Sequence, residues 1–154
     1  MTDCYSCAQE TRLDDAADRE RVWVGEHWRI AHCIECALAG WLVVLPRRHT
    51  TNIAGHTAAE AAELGTLLVA ASSALESVTG CEKTYVVQFA EAEGFAHTHF
   101  HVIPRPADLP QEHRGPGVFW YLNRPTSEQV SAADRDDLAR RLRFVIAETL
   151  EPAT

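Results

Sequence analysis

Residues 97–104 read His-Thr-His-Phe-His-Val-Ile-Pro, and they are the most informative segment of this chain. β-Branched and aromatic residues fill the segment and Pro104 closes it, a composition typical of a strand. Side chains two positions apart in a strand share a face, so His97, His99 and His101 are predicted to project together at intervals of about 6–7 Å. Imidazole can bind a metal, transfer a proton or act as a nucleophile, so the triplet predicts a site without choosing among these roles.

The segments around this triplet predict an α+β fold. A capping-box pattern at Thr57 to Glu60 begins a helix whose apolar residues recur every three or four positions until Gly80. The last helix is predicted over 127–150, after a loop over 104–116. Strand-like runs occupy residues 22–24, 28–30, 41–45, 84–89 and 97–103. The order β-β-β-α-β-β-α lacks β-α-β alternation, which favours an antiparallel sheet of about five strands with two main helices on one face.

Length and composition limit the number of domains and the classes of partner that the chain can have. The chain has 154 residues, 46% of them hydrophobic, and no internal repeat or linker, so we expect a single domain over 1–154. Asp and Glu number 22 against 14 Lys and Arg, giving a net charge of −8 that disfavours binding to nucleic acid or an anionic membrane. The N-terminus does not resemble a signal peptide, and the apolar window 30–46 is too short to span a bilayer. We therefore expect a cytoplasmic protein.

Four of the five cysteines form two C-x-x-C pairs, Cys4/Cys7 and Cys33/Cys36. This spacing is favoured by metal sites and redox motifs rather than by structural disulfides. Cys4 and Cys7 can share one tetrahedral zinc ion, which needs two further ligands. Cys33 and Cys36 could complete a four-thiolate site, although the separation between the pairs exceeds the roughly 15–20 residues of a zinc ribbon.

The triplet segment resembles the signature of the histidine triad family, His-x-His-x-His followed by apolar residues. The resemblance extends to residues 40–49, Gly-Trp-Leu-Val-Val-Leu-Pro-Arg-Arg-His, which are similar to the apolar strand of that family and its Pro-x-x-His corner. It covers roughly residues 20–105, the expected core, with the loop and helix of 105–150 following. The resemblance implies a homodimeric nucleotidyl hydrolase or transferase that passes a nucleoside monophosphate through a covalent histidine intermediate.

The resemblance also implies roles for individual residues. It makes His99 the nucleophile that attacks the α-phosphorus and His101 a hydrogen-bond donor to a phosphate or leaving-group oxygen. Gln88 matches a position whose amide contacts phosphate, and Glu35 matches one that contacts the ribose. Histidine at 101, rather than the glutamine typical of transferases, favours hydrolysis of a dinucleoside polyphosphate, a nucleoside phosphoramidate or a mixed anhydride.

A zinc-binding branch of the same superfamily has an N-terminal C-x-x-C pair. Similarity to that branch implies a structural zinc ion held by Cys4, Cys7, His49 and His97. This set competes with the four-thiolate site. It leaves Cys33 and Cys36 as buried or pocket-lining thiols.

Two features depart from the family pattern. Trp41 occupies a position where many hydrolases of the family have histidine, and Glu91 and Glu93 place negative charge in the loop before the triplet. The alternatives are a nucleotidyltransferase or phosphorylase that uses the same intermediate, and a nucleotide-binding sensor without turnover. A metal-storing strand that binds one ion through all three triplet histidines is a further alternative.

Overall fold

A computed structural model describes residues 4–151. Its centre is a five-stranded antiparallel sheet in the order β1-β2-β3-β5-β4. The strands are β1 (Trp23–Val24), β2 (Trp28–His32), β3 (Leu42–Pro46), β4 (Lys83–Val87) and β5 (Phe100–Arg105). The β5 strand, which contains His101, lies between β3 and β4 in the interior of the sheet.

Three α-helices accompany the sheet. They are α1 (Tyr5–Glu10), α2 (Ala58–Thr79) and α3 (Ala132–Leu150). The predicted capping box is present at the start of α2: the Thr57 hydroxyl accepts from the Glu60 backbone N–H, and the Glu60 carboxylate accepts from the Thr57 N–H. Gly80 ends α2 in the left-handed conformation, with φ at +72°. Short 3-10 turns occupy Leu13–Asp15, Asp18–Glu20, Ile53–Gly55, Gln111–His113, Gly115–Tyr121 and Thr126–Glu128.

The two faces of the sheet have different coverings. Helices α2 and α3 pack on one face over a core that includes Trp28, Ile30, Leu42, Val44, Phe100 and Val102. The opposite face carries a second apolar cluster formed by Cys33, Cys36, Trp41, Ile103, Leu109 and Val118. The 3-10 segment Gly115–Tyr121 covers this second cluster, and a cavity lies beside it. Both main helices thus lie on one face, as predicted, and the opposite face is available for a ligand.

The strand that carries the triplet differs from its predicted bounds. It begins at Phe100, so the prediction that His97, His99 and His101 share one strand is wrong, and His101 alone lies within β5. The backbone before it bonds elsewhere: Thr98 donates its N–H to the Thr50 carbonyl at 2.7 Å. Because this bond joins the segment to the loop after β3, residues 97–99 form a bend and not the hydrogen-bond ladder of a strand.

Two helix predictions also need correction. The last helix begins at Ala132 rather than 127, because the Ser131 hydroxyl caps the N–H of Asp134 at 3.1 Å. Helix α1, which contains Cys7, was not predicted. It has only six residues, too few for a periodic pattern to show.

Helix α2 is long and apolar enough to cross a membrane by length and composition alone. Its Leu67, Ala71, Ala74 and Leu75 side chains are buried in the core against the sheet and α3. Of the apolar window, 33% is buried, so one side of α2 packs on the core and the other side faces outward.

Candidate active site and metal centre

The four predicted zinc ligands lie together. The ligand atoms of Cys4, Cys7, His49 and His97 are all within 4.8 Å of one another. Cys4 is the residue before α1 and Cys7 lies in its first turn, so both thiols project from one end of the helix. His49 follows the corner after β3, and His97 comes from the bend before β5. The cluster therefore joins the N-terminal segment to the centre of the sheet.

Four of the six separations between these atoms fit a tetrahedral zinc ion. Bonds of about 2.3 Å to sulfur and about 2.05 Å to nitrogen separate two nitrogens by about 3.3 Å, and a nitrogen from a sulfur by about 3.6 Å. The Nδ1 atoms of His49 and His97 are 3.3 Å apart. His97 Nδ1 is 3.5 Å from Cys4 Sγ and 3.6 Å from Cys7 Sγ. His49 Nδ1 lies 3.3 Å from Cys7 Sγ.

The surroundings of His97 favour ligation through Nδ1. Its Nε2–H donates to the Pro46 carbonyl at 2.8 Å, which leaves the lone pair of the neutral ring on Nδ1, facing the thiols. Burial lowers the pKa of His97 and so favours the neutral form that a metal requires. Cys33 and Cys36 do not join this cluster in the part of the chain that the structure describes, so the four-thiolate alternative is not formed.

His99 lies beside the metal cluster with one nitrogen already occupied. Its Nδ1–H donates to the carbonyl of His97 at 2.8 Å, which leaves Nε2 as the nitrogen with a free lone pair. The ring is half-buried at the wall of the cavity, and its centroid is 4.8 Å from that of His101. This arrangement suits a nucleophile, because the ring is oriented and Nε2 is available.

His101 is held by Trp41. The indole Nε1–H of Trp41 donates to His101 Nδ1 at 3.0 Å, and both side chains are buried. Burial, followed by the charge that His99 can carry, lowers the pKa of His101 to about 4. His101 is therefore a neutral imidazole at pH 7, with its proton on Nε2.

A cavity of about 290 Å³ lies next to the two histidines. Alternate residues of β2 and β3 form its floor, including Ala31, Val43 and Leu45. Glu35 is exposed at its edge with φ at +51°, a left-handed conformation that only a minority of side chains adopt. Cys33 also lines the wall, as the zinc-branch resemblance implied for this thiol. The volume is close to the lower end of the range for small-molecule pockets, roughly 300 Å³.

Not every predicted contact residue reaches this cavity. Glu35 lines it, whereas Gln88 follows the end of β4 and does not appear among the lining residues that the structure describes. Of the two acidic loop residues, Glu91 lines the cavity and Glu93 does not. The predicted metal-storing strand is not supported, because His97 turns toward the cysteines while His99 and His101 face the cavity.

Sequence reasoning missed several residues that line the cavity. The unpredicted lining residues include Tyr5, Ser6, Arg29, Phe89, Phe119 and Asn123. Tyr5 and Ser6 lie between the two cysteines of the metal cluster, so the C-x-x-C motif itself was the available signal. The side chain of Arg29 is only 2% exposed and pairs with Glu10 at 3.2 Å, which uses its charge within the wall. Phe119 lies far along the sequence, and no local pattern marks it.

Several solved structures share this architecture. A zinc-bound histidine triad family protein from Mycobacterium smegmatis has a TM-score of 0.66 and 20% identity, over 94% of each chain. A hypothetical histidine triad nucleotide-binding protein from Sulfolobus tokodaii has a TM-score of 0.69 and 16% identity, over 94% of this chain and 93% of that one. A histidine triad protein from Bradyrhizobium japonicum has a TM-score of 0.66 and 22% identity, over 88% of this chain and 95% of that one.

The chain has the histidine triad fold. The resemblance drawn from residues 97–104 is thus confirmed at the level of architecture, including the five-stranded antiparallel sheet. No family model matches the sequence, and no curated protein matches it. The histidine triad fold is therefore evident from the three-dimensional similarity. The similarity in sequence is limited to short motifs.

Proposed function

We propose that this protein is a hydrolase that releases a nucleoside 5′-monophosphate through a nucleotidyl-histidine intermediate. Its substrate class comprises dinucleoside polyphosphates, nucleoside phosphoramidates and mixed anhydrides. The observation that carries the proposal is the orientation of His99, whose Nδ1–H is bound to the His97 carbonyl so that Nε2 is free at the wall of the cavity. Histidine triad neighbours such as the nucleotide-binding protein from Sulfolobus tokodaii support a nucleotide as the ligand.

The proposed reaction has two displacements at the α-phosphorus. The lone pair of His99 Nε2 attacks phosphorus, the bond to the leaving group breaks, and the electron pair departs with that group. Water then attacks the same phosphorus, the P–N bond to His99 breaks, and the nucleoside monophosphate is released. One difficult attack by water is thus replaced by two easier displacements, the first by imidazole and the second by water at the more reactive P–N bond. His101 donates its Nε2–H to an oxygen on which negative charge develops.

The cavity suits the nucleoside part of such a substrate. Its floor is apolar, which favours burial of a base, and Phe89 and Phe119 form an aromatic wall with ring centroids 5.6 Å apart. Glu35 at the edge offers a carboxylate to ribose hydroxyls, so it retains its proposed role as a ribose contact. Gln88 lies outside the described lining, and its phosphate contact stays a prediction that substitution by alanine would test.

We also propose that the cluster of Cys4, Cys7, His49 and His97 holds a structural zinc ion. Two thiolates and two imidazoles close a tetrahedral shell, so the ion would brace the site rather than activate water. The zinc-bound protein from Mycobacterium smegmatis shares the fold and supports this choice of metal. The ion would hold Tyr5 and Ser6 against the cavity, and it would fix the backbone that positions His99.

We also propose that two copies of the chain associate through the edge of the sheet to form a homodimer. The β4 strand is an edge strand, and its Val86 side chain is 47% exposed. A hydrogen bond of 2.8 Å between Thr84 and Ser72 joins β4 to α2, on which Val69 is 69% exposed. Two exposed valines beside an open strand edge form a self-complementary surface. Light scattering should give twice the mass of the chain, and Val86→Lys should give the mass of one chain.

The activity test compares the wild type with His99→Ala. AMP release is measured from adenosine 5′-phosphoramidate and from diadenosine tetraphosphate, while intact mass spectrometry follows the protein during turnover. His27→Ala is the matched control, because His27 lies outside the cavity beside Glu26. We expect release by the wild type and the control, none by His99→Ala, and an added nucleotidyl mass on the wild type alone.

The same assay separates the alternatives. A transferase would form the adduct and release product only when phosphate or a phosphorylated sugar is supplied as acceptor. A sensor would bind nucleotide with neither adduct nor release under any of these conditions. Equal release by His99→Ala and the wild type would refute the assignment of the nucleophile.

A further inference from the structure

We infer that Trp41 is a positioning residue that holds His101 as the neutral Nε2–H tautomer, and that the site therefore favours phosphoric anhydrides over phosphoramidates. The tautomer follows from the structure alone. The choice of substrate rests on the proposed hydrolase function.

The hydrogen bond between the two rings determines where the proton lies. An indole N–H can only donate, so the 3.0 Å contact between Trp41 Nε1 and His101 Nδ1 requires a lone pair on Nδ1. The proton of the neutral imidazole is then on Nε2. An imidazolium at this position would place its Nδ1–H against the indole N–H, donor against donor.

Trp41 has little freedom to move away from His101. It is fully buried, and its backbone is fixed from both sides: its carbonyl accepts from Cys33 at 2.8 Å and its N–H donates to Leu38 at 3.3 Å. Phe119 packs edge-on against both rings, with centroids 5.5 Å from Trp41 and 5.8 Å from His101. Rotation of the indole would open a cavity in this cluster, so the hydrogen bond is maintained by packing.

The cross-strand partners of His101 carry no charge that would stabilise an imidazolium. Its partners across the sheet are Val43 on β3 and Val87 on β4. His99 is the titratable group whose charge acts on it, and that charge opposes protonation. The other ionisable residues along the cavity wall are Tyr5, Glu20, Arg29, His32, Cys33, Glu35 and Glu91.

This proton placement matters for the leaving group. When His99 Nε2 attacks an anhydride, the P–O bond breaks and the leaving oxygen keeps the electron pair as a stable anion. That anion needs a hydrogen bond, which the Nε2–H of His101 supplies, and no proton has to be transferred. When the same attack breaks a P–N bond, the leaving nitrogen must gain a proton, and a neutral imidazole N–H is too weak an acid to give one.

The tautomer is tested by 15N NMR of histidine-labelled protein, with the His101 signals assigned by their loss in His101→Gln. We expect the wild type to show a proton on Nε2 and a bare Nδ1 throughout the neutral pH range. Trp41→Phe, which keeps an aromatic ring and the burial of His101 but lacks the donor, should show exchange between the two neutral tautomers. A proton on Nδ1 of wild-type His101 would overturn the proposal, and this result does not depend on any activity.

The substrate preference is tested by the ratio of kcat/KM for adenosine 5′-phosphoramidate to that for diadenosine tetraphosphate. Trp41→Phe should raise this ratio by up to about tenfold at the acidic end of the pH range, where loss of the N–H donor against Nδ1 lets a larger fraction of His101 be protonated and act as the acid. Val118→Ala is the matched control, since it loosens the apolar cluster that contains Trp41 without removing the hydrogen bond and lies outside the cavity lining, and it should leave the ratio unchanged.

The outcomes distinguish the two proposals. An unchanged ratio in an active Trp41→Phe, or an equal rise in Val118→Ala, would refute the role of Trp41 in substrate preference. Absence of turnover with both substrates in the wild type would refute the hydrolase function, while the NMR result would still decide the tautomer. Should Trp41→Phe fail to fold, the wild-type NMR spectrum alone confirms or overturns the tautomer.

Discussion

Replacing Cys4 by serine should weaken the binding of zinc to the protein. Structural zinc in small peptides contributes roughly 10–16 kcal/mol at pH 7. Shared equally among four ligands, this gives about 2.5–4 kcal/mol for each, so Cys4→Ser should weaken zinc binding by about 10²–10³-fold. For a domain of this size the lost stabilisation corresponds to a fall in Tm of roughly 5–15 °C.

The assay has two readouts and one matched control. Elemental analysis gives the zinc content per chain, and competition with a chromogenic chelator gives the Kd of each variant. Cys33→Ser is the control, because Cys33 is also a buried free cysteine of a C-x-x-C pair but lies outside the cluster. It should keep one zinc ion per chain and an unchanged Kd.

Two results would refute this reasoning. Full metal content with an unchanged Kd in Cys4→Ser would show that this thiolate is not a ligand. Loss of metal in Cys33→Ser would restore the four-thiolate site as an explanation.

Two further predictions concern stability. Gly40→Ala should cost roughly 3 kcal/mol in urea unfolding, because φ is +87° and the new Cβ would lie 3.2 Å from Leu75 Cδ2. Gly80→Ala, at φ +72° with nothing within 4 Å, should cost only about 1 kcal/mol; equal losses would contradict the steric argument. The bond to Arg48 lowers the pKa of Glu60 from 4.5 to about 2, so its stabilisation is complete above pH 4.5 and is lost as the pH falls toward 2. Urea unfolding between pH 6 and pH 2 should show a smaller loss for Glu60→Gln than for the wild type, and identical pH profiles would exclude this contribution.

The parts of the fold that could be predicted depend on local signals. The capping box from Thr57 to Glu60 and the stop at Gly80 lie close in sequence to the helix ends that they determine. The alternation of the triplet indicated a strand correctly, but not its first residue. The start of β5 depends on the bonds of Thr98 to Thr50, which are distant in sequence and follow no pattern.

In the candidate site, too, local motifs could be predicted from the sequence and contacts between distant segments could not. The metal set was available from the two short motifs together with the resemblance, because each motif supplies its ligands at fixed spacing. The contact between Trp41 and His101 was not predictable, since the sequence marked Trp41 only as a departure from the family pattern. The contact depends on the register of β3 against β5. This register pairs Val43 with His101, so Trp41, two residues before Val43, comes within hydrogen-bond distance of the His101 ring.

His97 belongs to two networks at once, because its ring faces the metal cluster while its carbonyl accepts the Nδ1–H of His99. A single residue thus connects the proposed zinc ligands to the proposed nucleophile. On the proposed zinc site, oxidation of the thiols or depletion of zinc would free the ring of His97 and loosen the carbonyl that orients His99. The rate at which His99 acquires nucleotide should then fall in step with metal content at graded peroxide. Catalytic output would in this way report the zinc and thiol status of the surroundings.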